Sequence, residues 1–282
     1  MEIMNRKRPQ ILLTNDDGIQ SPGLWAAAEA LSKLGFVTVA APREQSSGAG
    51  RSLPITSDGT IKSTKLNIGG QEWITYAVGG TPAQAVLHAV MEIMPQKPDL
   101  VVSGINYGEN LGTSVTISGT VGAALEGAAL GIPSIAVSIQ LRDEHYLDYS
   151  TSVDFSTAAY FAARFGRLML EHKFPADVDL LKIDVPNDAT TETPWKVARL
   201  ARHRYYAPVI KRSGSWDEPG GYIGGQLGAR KEEVGEDTDV YAMAFDRLVS
   251  VVPMSTDMTA RVDLGEFEAL LREWTKEKQA EK

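Results

Sequence analysis

Two adjacent carboxylates, Asp16 and Asp17, sit within ILLTNDDGIQSPG, residues 11–23. The apolar run Ile11-Leu12-Leu13 reads as a buried strand ending at Thr14, so Asn15, Asp16 and Asp17 stand beyond its carboxyl end. Gly18 permits a sharp turn because it is free to take φ > 0. Ser21-Pro22 supplies an N-cap followed by proline at the first helical position. In open α/β sheets this carboxyl-end rim is where ligands bind. Neighbouring carboxylates repel there unless a positive centre lies between them. The economical centre is one divalent cation with oxygen ligands, Mg²⁺ or Mn²⁺. Asn-Asp-Asp-Gly is equally an ordinary turn composition, since Asx side chains close turns on their own backbone.

Two more strand ends carry polar residues suited to the same rim. One is followed by Pro42-Arg43-Glu44-Gln45-Ser46-Ser47-Gly48-Ala49-Gly50-Arg51-Ser52, the other by Ser103-Gly104-Ile105-Asn106-Tyr107-Gly108-Glu109-Asn110. Ser118-Gly119-Thr120 opens a helix whose N-terminal amides and two hydroxyls suit an anion. Taken singly, Ser46–Gly50 reads as a connection, Asn106 as a left-handed turn residue and Ser118 as a plain N-cap. Together on one rim, a cation site beside an anion site points to phosphoryl-ester chemistry.

The elements that position these residues are read from periodicity. Strand-like runs at Ile11–Thr14, Phe36–Pro42, Asp99–Val102, Pro133–Ser138 and Asp179–Pro186 alternate with helical ones. The helical runs are Pro22–Leu34, the stretch from Thr81-Pro82, Gly119–Leu130 and Phe155–His172. This βαβα rhythm predicts a mostly parallel sheet with helices on both faces. Thr60–Leu66 and Glu72–Tyr76 read as a hairpin around Asn67-Ile68-Gly69-Gly70. Beyond Pro186 the rhythm is lost. Ser213–Asp239 is rich in glycine and acidic residues with aromatic neighbours, which favours an arm packing on a second subunit over a solvated loop. Leu264–Lys278 closes as an amphipathic helix.

Composition excludes several classes. With 282 residues, 43% hydrophobic and 23% charged, the chain has a soluble globular composition. A net charge of −8, with no basic block beyond Arg6-Lys7-Arg8, argues against binding long nucleic acid. There are no cysteines, which removes disulfides, thiolate nucleophiles and cysteine-based zinc sites. The four histidines lie apart without metal-ligand spacing. MEIMNRKRPQ lacks the apolar core of a signal peptide, and the apolar stretch after Gly119 is interrupted by Gly131-Ile132-Pro133, so the expectation is a cytoplasmic protein without membrane association.

These motifs resemble the SurE (survival protein E) phosphatases, also called 5′/3′-nucleotidases. The matches are ILLTNDDGIQSPG, the AP….S.G.S pattern over Ala41–Ser52, and GTPA at Gly80–Ala83. DLVVSGINYGENLG at Asp99–Gly112 and SGTVGAALEGAALGIPSIAVS at Ser118–Ser138 complete five blocks in the family's order, with weaker likeness in DVPN and TDVYA. The resemblance implies a Rossmann-like α/β core over residues 1–186, with a small hairpin insertion near 55–77. Residues 187–282 would form C-terminal arms and a helix serving a homodimer or homotetramer. It further implies metal-dependent hydrolysis of nucleoside monophosphates. By position, the family's metal ligands fall on Asp16, Asp17, Ser47 and Asn106, for one divalent cation per subunit (Mg²⁺ or Mn²⁺, with Co²⁺ also suited). Asn15, Asn110 and Ser118-Gly119-Thr120 match the surrounding polar and phosphate-binding positions. The chain departs from the family at Arg43, at Gln84-Ala85 after GTPA, and at Ile117, none of them a metal ligand.

The expected reaction is attack of an activated water on the phosphate monoester, with Asn15, Asp16 and Asp17 at the chemistry. Two rivals differ in class. A haloacid-dehalogenase-type phosphatase needs a nucleophilic aspartate where this chain has Asn15, and an amide forms no aspartyl-phosphate. A nucleotide-binding regulatory protein could use the same crevice, but no GxGxxG fingerprint follows the first strand.

Overall fold

A computed structural model describes residues 8–141, 153–212, 214–218, 220–227 and 230–280, so the opening basic residues Arg6 and Lys7 and parts of the expected arm lie outside the described residues. In chain order the strands are β1 (Gln10–Thr14), β2 (Phe36–Pro42), β3 (Ile61–Ile68), β4 (Gln71–Val78), β5 (Leu100–Tyr107), β6 (Ser134–Ile139), β7 (Leu180–Val185), β8 (Trp195–Val197), β9 (Tyr206–Lys211), β10 (Gly221–Leu227) and β11 (Val249–Met254). Among the described residues, nine of these form one sheet in the order β3-β4-β2-β1-β5-β6-β7-β11-β8, while β9 and β10 pair separately. From β4 to β7 every neighbouring pair is parallel. The order reverses at β1, flanked by β2 on one side and β5 on the other, which makes the carboxyl ends of β1 and β5 a topological switch point.

Helices cover both faces, as the alternating pattern predicts. On one face α1 (Pro22–Leu31) and α4 (Ser156–Glu171) bury Leu24, Ala28, Leu31, Phe161 and Phe165 against Ile11, Leu13, Val102 and Val137. On the other, α2 (Pro82–His88) and α3 (Gly119–Ala129) set Val86 and Ala123 against Leu12 and Val101. Successive side chains of a strand point to opposite faces, so strands buried on both sides must be apolar throughout. β6 and β7 are buried along their whole length, and β7 departs from this rule at Lys182 and Asp184. α2 is short and well capped: Thr81 accepts from the Gln84 amide, and the Gln84 side chain accepts from the Thr81 N–H. No helix among the described residues is long and apolar enough to cross a membrane.

Three expectations change in the structure. The hairpin is no separate insertion: β3 and β4 turn at Gly69-Gly70, both at positive φ as a tight two-residue hairpin turn requires, and β4 extends the sheet beside β2. Nor does the sheet stop at residue 186. β11 runs antiparallel to β7 and β8 parallel to β11, so the second half of the chain completes the core. The third buried strand, expected to end at Val102 before a glycine-rich loop, runs on as β5 to Tyr107.

Candidate active site

Asn15 closes the turn after β1. Its side-chain amide donates to the Gly18 carbonyl at 3.0 Å, and its carbonyl accepts the Gly18 N–H at 3.1 Å. Both polar ends of Asn15 thus take part in the turn, with Gly18 at φ +93°. The residue read as a catalytic candidate is the clamp that aims its two neighbours.

Asp16 is buried against the start of α3. The Thr120 hydroxyl donates to its Oδ1 at 2.5 Å, and the backbone amides of Gly119 and Thr120 also donate to it. The expected anion site at Ser118-Gly119-Thr120 therefore holds an anion of the chain itself. Ser118 accepts the Val121 N–H at 3.1 Å as an ordinary N-cap. Asp17 is buried beside Asp16 and accepts the Tyr107 N–H at 3.1 Å, which ties the end of β1 to the end of β5 across the switch point.

Burial pushes the Asp16 carboxyl above its ordinary range, against the hydrogen bonds from Thr120 and Gly119 that pull it down. Burial raises the Asp17 carboxyl well above that range, and the neighbouring Asp16 charge raises it further. A cation between the two would oppose both effects.

The serine-glycine loop after β2 crosses this turn. The Ser46 N–H donates to the Asp16 carbonyl at 2.7 Å, and the Ile19 N–H to the Pro42 carbonyl at 2.9 Å. Ser47 comes next, exposed on the rim, its hydroxyl accepting from the Gln45 amide at 3.0 Å. The loop is then pinned to α3: the Gly50 N–H donates to the Ile117 carbonyl at 3.0 Å, and Arg51 pairs with the buried Glu126 at 2.7 Å. Glu126, the single charge of an otherwise uncharged stretch, is thereby explained. Of the departures from the family pattern, Arg43 reaches Asp58 at 3.3 Å and Thr60 at 3.1 Å, while Ile117 is exposed.

Asn106 arrives by a bulge. The β5–β6 register shifts between Ser103 and Asn106, where β5 spends three steps against two on β6. The extra residue bends the strand and re-aims the side chains beyond it. Gly104 makes this possible at φ +134°, since a Cβ there would lie 2.3 Å from the Val137 carbonyl oxygen. The Asn106 amide nitrogen donates to the carbonyls of Tyr107 at 3.2 Å and Gly108 at 2.6 Å, which leaves its side-chain oxygen for another partner. Asn110 is buried, its N–H donating to Asp184 at 2.7 Å and its side-chain amide to the Ser138 hydroxyl at 2.8 Å.

The structure thus gathers Asp16, Asp17, Asn106 and Thr120 at the ends of β1 and β5, with Ser47 on the loop crossing them. Among the described residues no three His, Cys, Asp or Glu side chains converge as metal ligands, so a cation here needs amide and hydroxyl oxygens beside the two carboxylates. Sequence reasoning missed the bulge, Ser138 and the charged side chains of β7. A glycine inside an apolar strand, and charges inside an apolar run, were the available signals.

Residues 11–207 match the family model described as survival protein SurE. The chain is 43% identical over 262 residues to 5′-nucleotidase SurE of Thermococcus gammatolerans, covering 93% of this chain and 96% of that one. It is 42% identical over 269 residues to 5′-nucleotidase SurE of Methanosarcina acetivorans, covering 93% and 98%. The crystal structure of the SurE protein from Aquifex aeolicus superposes with a TM-score of 0.72 at 34% identity, covering 93% of this chain and 99% of that one. On the family match over residues 11–207, relatives above 40% identity across 93% of the chain and a shared fold, the chain belongs to the SurE family.

Proposed function

We propose that this chain is a metal-dependent phosphomonoesterase that hydrolyses nucleoside 5′- and 3′-monophosphates to nucleoside and phosphate. The observation that carries the reading is the buried Asp16–Asp17 pair at the switch point, both carboxyls raised by burial and fixed by hydrogen bonds from α3 and β5. Relatives named 5′-nucleotidase SurE over nearly the full chain support it.

The donor set fits a hard divalent cation. Asp16, Asp17, Ser47 and Asn106 offer carboxylate, hydroxyl and amide oxygens, with Mg²⁺, Mn²⁺ and Co²⁺ all compatible. When bound, such an ion supplies positive charge for the phosphoryl oxygens and lowers the pKa of water. The chain does the rest. Thr120 and the amides at the start of α3 keep Asp16 in place, the Tyr107 amide keeps Asp17, and the Asn15 turn holds both. Water attacks phosphorus, an Asp carboxylate of the pair takes its proton, and the ester P–O bond breaks as the leaving oxygen takes a proton from that carboxyl or from solvent, which releases nucleoside and inorganic phosphate. To Asn110 we assign contact with the substrate, the role that its likeness to the family's position implies.

We place the protein in the cytoplasm as a homodimer or homotetramer. α5 (Leu264–Ala280) supports the assembly by exposing Phe267, Leu270, Leu271 and Trp274 along one stretch. The test of the function is phosphate release from a panel of nucleoside 5′- and 3′-monophosphates, in chelator and with Mg²⁺ or Mn²⁺ restored. Metal-dependent release is expected. Nucleotide binding that persists in chelator without release would instead favour a regulatory nucleotide-binding protein.

A further inference from the structure

Beneath the rim lies an ion cluster that takes no part in the chemistry above. Lys182 and Asp184 of β7 and Asp239 are all fully buried. The Lys182 ammonium pairs with Asp184 and, at 3.1 Å, with Asp239. Each carboxylate also accepts backbone N–H groups: Asp184 from Asn110 at 2.7 Å, Asp239 from Gly112 at 3.0 Å, Ala201 at 2.9 Å and Val240 at 2.9 Å. We propose that Lys182, Asp184 and Asp239 are positioning residues for the Asn110-Leu111-Gly112 segment, and that they fix Asn110 in the geometry that binds substrate. The inference rests on the nucleotidase reading.

Burying three charges is expensive, and apolar residues of like volume fill such space at less cost. What apolar residues cannot do is accept hydrogen bonds. Two amides of one three-residue segment, on either side of Leu111, donate to two carboxylates bridged by one ammonium, so the segment cannot slide without breaking the cluster. Leu111 is itself buried in an apolar cluster with Ala201, Tyr205, Val240 and Met243.

The register makes Asn110 the focus. Ser138 of β6 and Asp184 of β7 are direct partners in the parallel ladder, and they take the side-chain amide and the backbone N–H of Asn110 respectively. Asn110 is thus held at two points by neighbouring strands. Gly112 leads into the 3₁₀ turn at Thr113–Thr116 and then Ser118, so the same clamp sets the approach to the α3 start that seats Asp16.

The experiment uses the full-length protein loaded with Mn²⁺, with steady-state hydrolysis of nucleoside monophosphates, manganese affinity and thermal melts measured together. Asp184→Leu removes the acceptor facing Asn110 but leaves Lys182 paired with Asp239, which favours a folded variant. The expected result is a KM raised about tenfold or more with kcat within about threefold, because a buried N–H loses its partner. Manganese affinity should stay unchanged, and Asp184→Asn, which keeps an acceptor oxygen, should restore KM to within about threefold of wild type. A folded Asp184→Leu chain with wild-type KM overturns the inference, as does a loss of manganese affinity that parallels KM. Should Asp184→Leu fail to fold, Ser138→Ala decides: a raised KM at wild-type kcat supports the clamp, and an unchanged KM overturns it. Wild-type protein that releases no phosphate with any metal overturns the nucleotidase reading and this inference with it. Active wild type with unmoved variants overturns the inference alone.

Discussion

Gly119 lies directly against Asp16: a Cβ built on Gly119 would stand 2.7 Å from the Asp16 Cβ and 2.8 Å from its Oδ2. No real Cβ tolerates that approach, so the start of α3 can seat the carboxylate only because this residue has no side chain. Gly119→Ala must push Asp16 off the Gly119 and Thr120 amides. Alanine suits the helix itself better than glycine, which offsets part of the roughly 1–3 kcal/mol that such overpacking costs, so the variant should still fold. A displacement of this size at a reacting group costs about a hundredfold in rate. Near-wild-type kcat/KM in a folded Gly119→Ala protein would show that the seat is dispensable.

The raised carboxyls of Asp16 and Asp17 fix the sign of a pH effect. A folded-state pKa above the unfolded one means that the native protein holds its proton more tightly. In chelator these groups' contribution to stability therefore falls as pH rises from about 4 through the raised values, and stays lost above them. A cation bound by the ionised pair reverses this, because it binds the native state alone. In chelator the melting temperature of wild type relative to Asp17→Asn should fall from acid to neutral pH, and Mn²⁺ should restore it. Asp17→Asn, relieved of the repulsion from Asp16, should melt higher than wild type in chelator at neutral pH and gain little from Mn²⁺. A chelated wild type that gains stability over Asp17→Asn towards neutrality would contradict the assignment.

The strand–helix alternation up to Pro186 was legible because buried parallel strands are mostly apolar, as Ile11–Thr14 and Phe36–Pro42 are, and the run ending in Val185 stays recognisable despite Lys182 and Asp184. Asp16 and Asp17 were legible because polar residues directly after such a run have nowhere to go but the rim, whereas Asn106, inside β5, was singled out by the family resemblance. What was hidden depends on partners distant in sequence. Asn15 suits both a turn and a site, and its part in the turn shows only in its two bonds to Gly18. The anion held at Ser118-Gly119-Thr120 could not be seen as Asp16, a hundred residues upstream. β8 is three residues long and β11 joins across a long connection, so neither shows the local period that reveals a strand.

Arg51 and Glu126 staple the serine-glycine loop to α3, with Glu126 buried and Arg51 half exposed. Arg51→Ala leaves a buried carboxylate without its cation, at a cost of about 1–2 kcal/mol once the exposure of the arginine is allowed for. Adding Glu126→Gln should recover part of that loss, since the neutral amide needs no counter-charge. Thermal or denaturant melts of the single and double variants measure it. Because Ser46 and Ser47 ride on this loop, Arg51→Ala should also weaken Mn²⁺ binding, while a distant surface control such as Lys65→Ala should not.

The exposed face of α5 predicts what truncation does. Leu264, Phe267, Leu270, Leu271 and Trp274 recur at helical spacing and remain 62%, 47%, 38%, 43% and 51% exposed in the single chain. A free helix would gain nothing by carrying them, whereas burying the stripe against a second copy removes apolar surface at roughly 25 cal/mol per Å². The sheet and both helical layers are complete before Asp263, so a chain ending there keeps its core. Light scattering should therefore give an oligomer for the full chain and a smaller mass for the truncated one. Replacing Phe267 and Trp274 with serine should have the same effect without shortening the chain. An unchanged mass in both variants would move the interface elsewhere, with the β9–β10 ribbon the next element to remove.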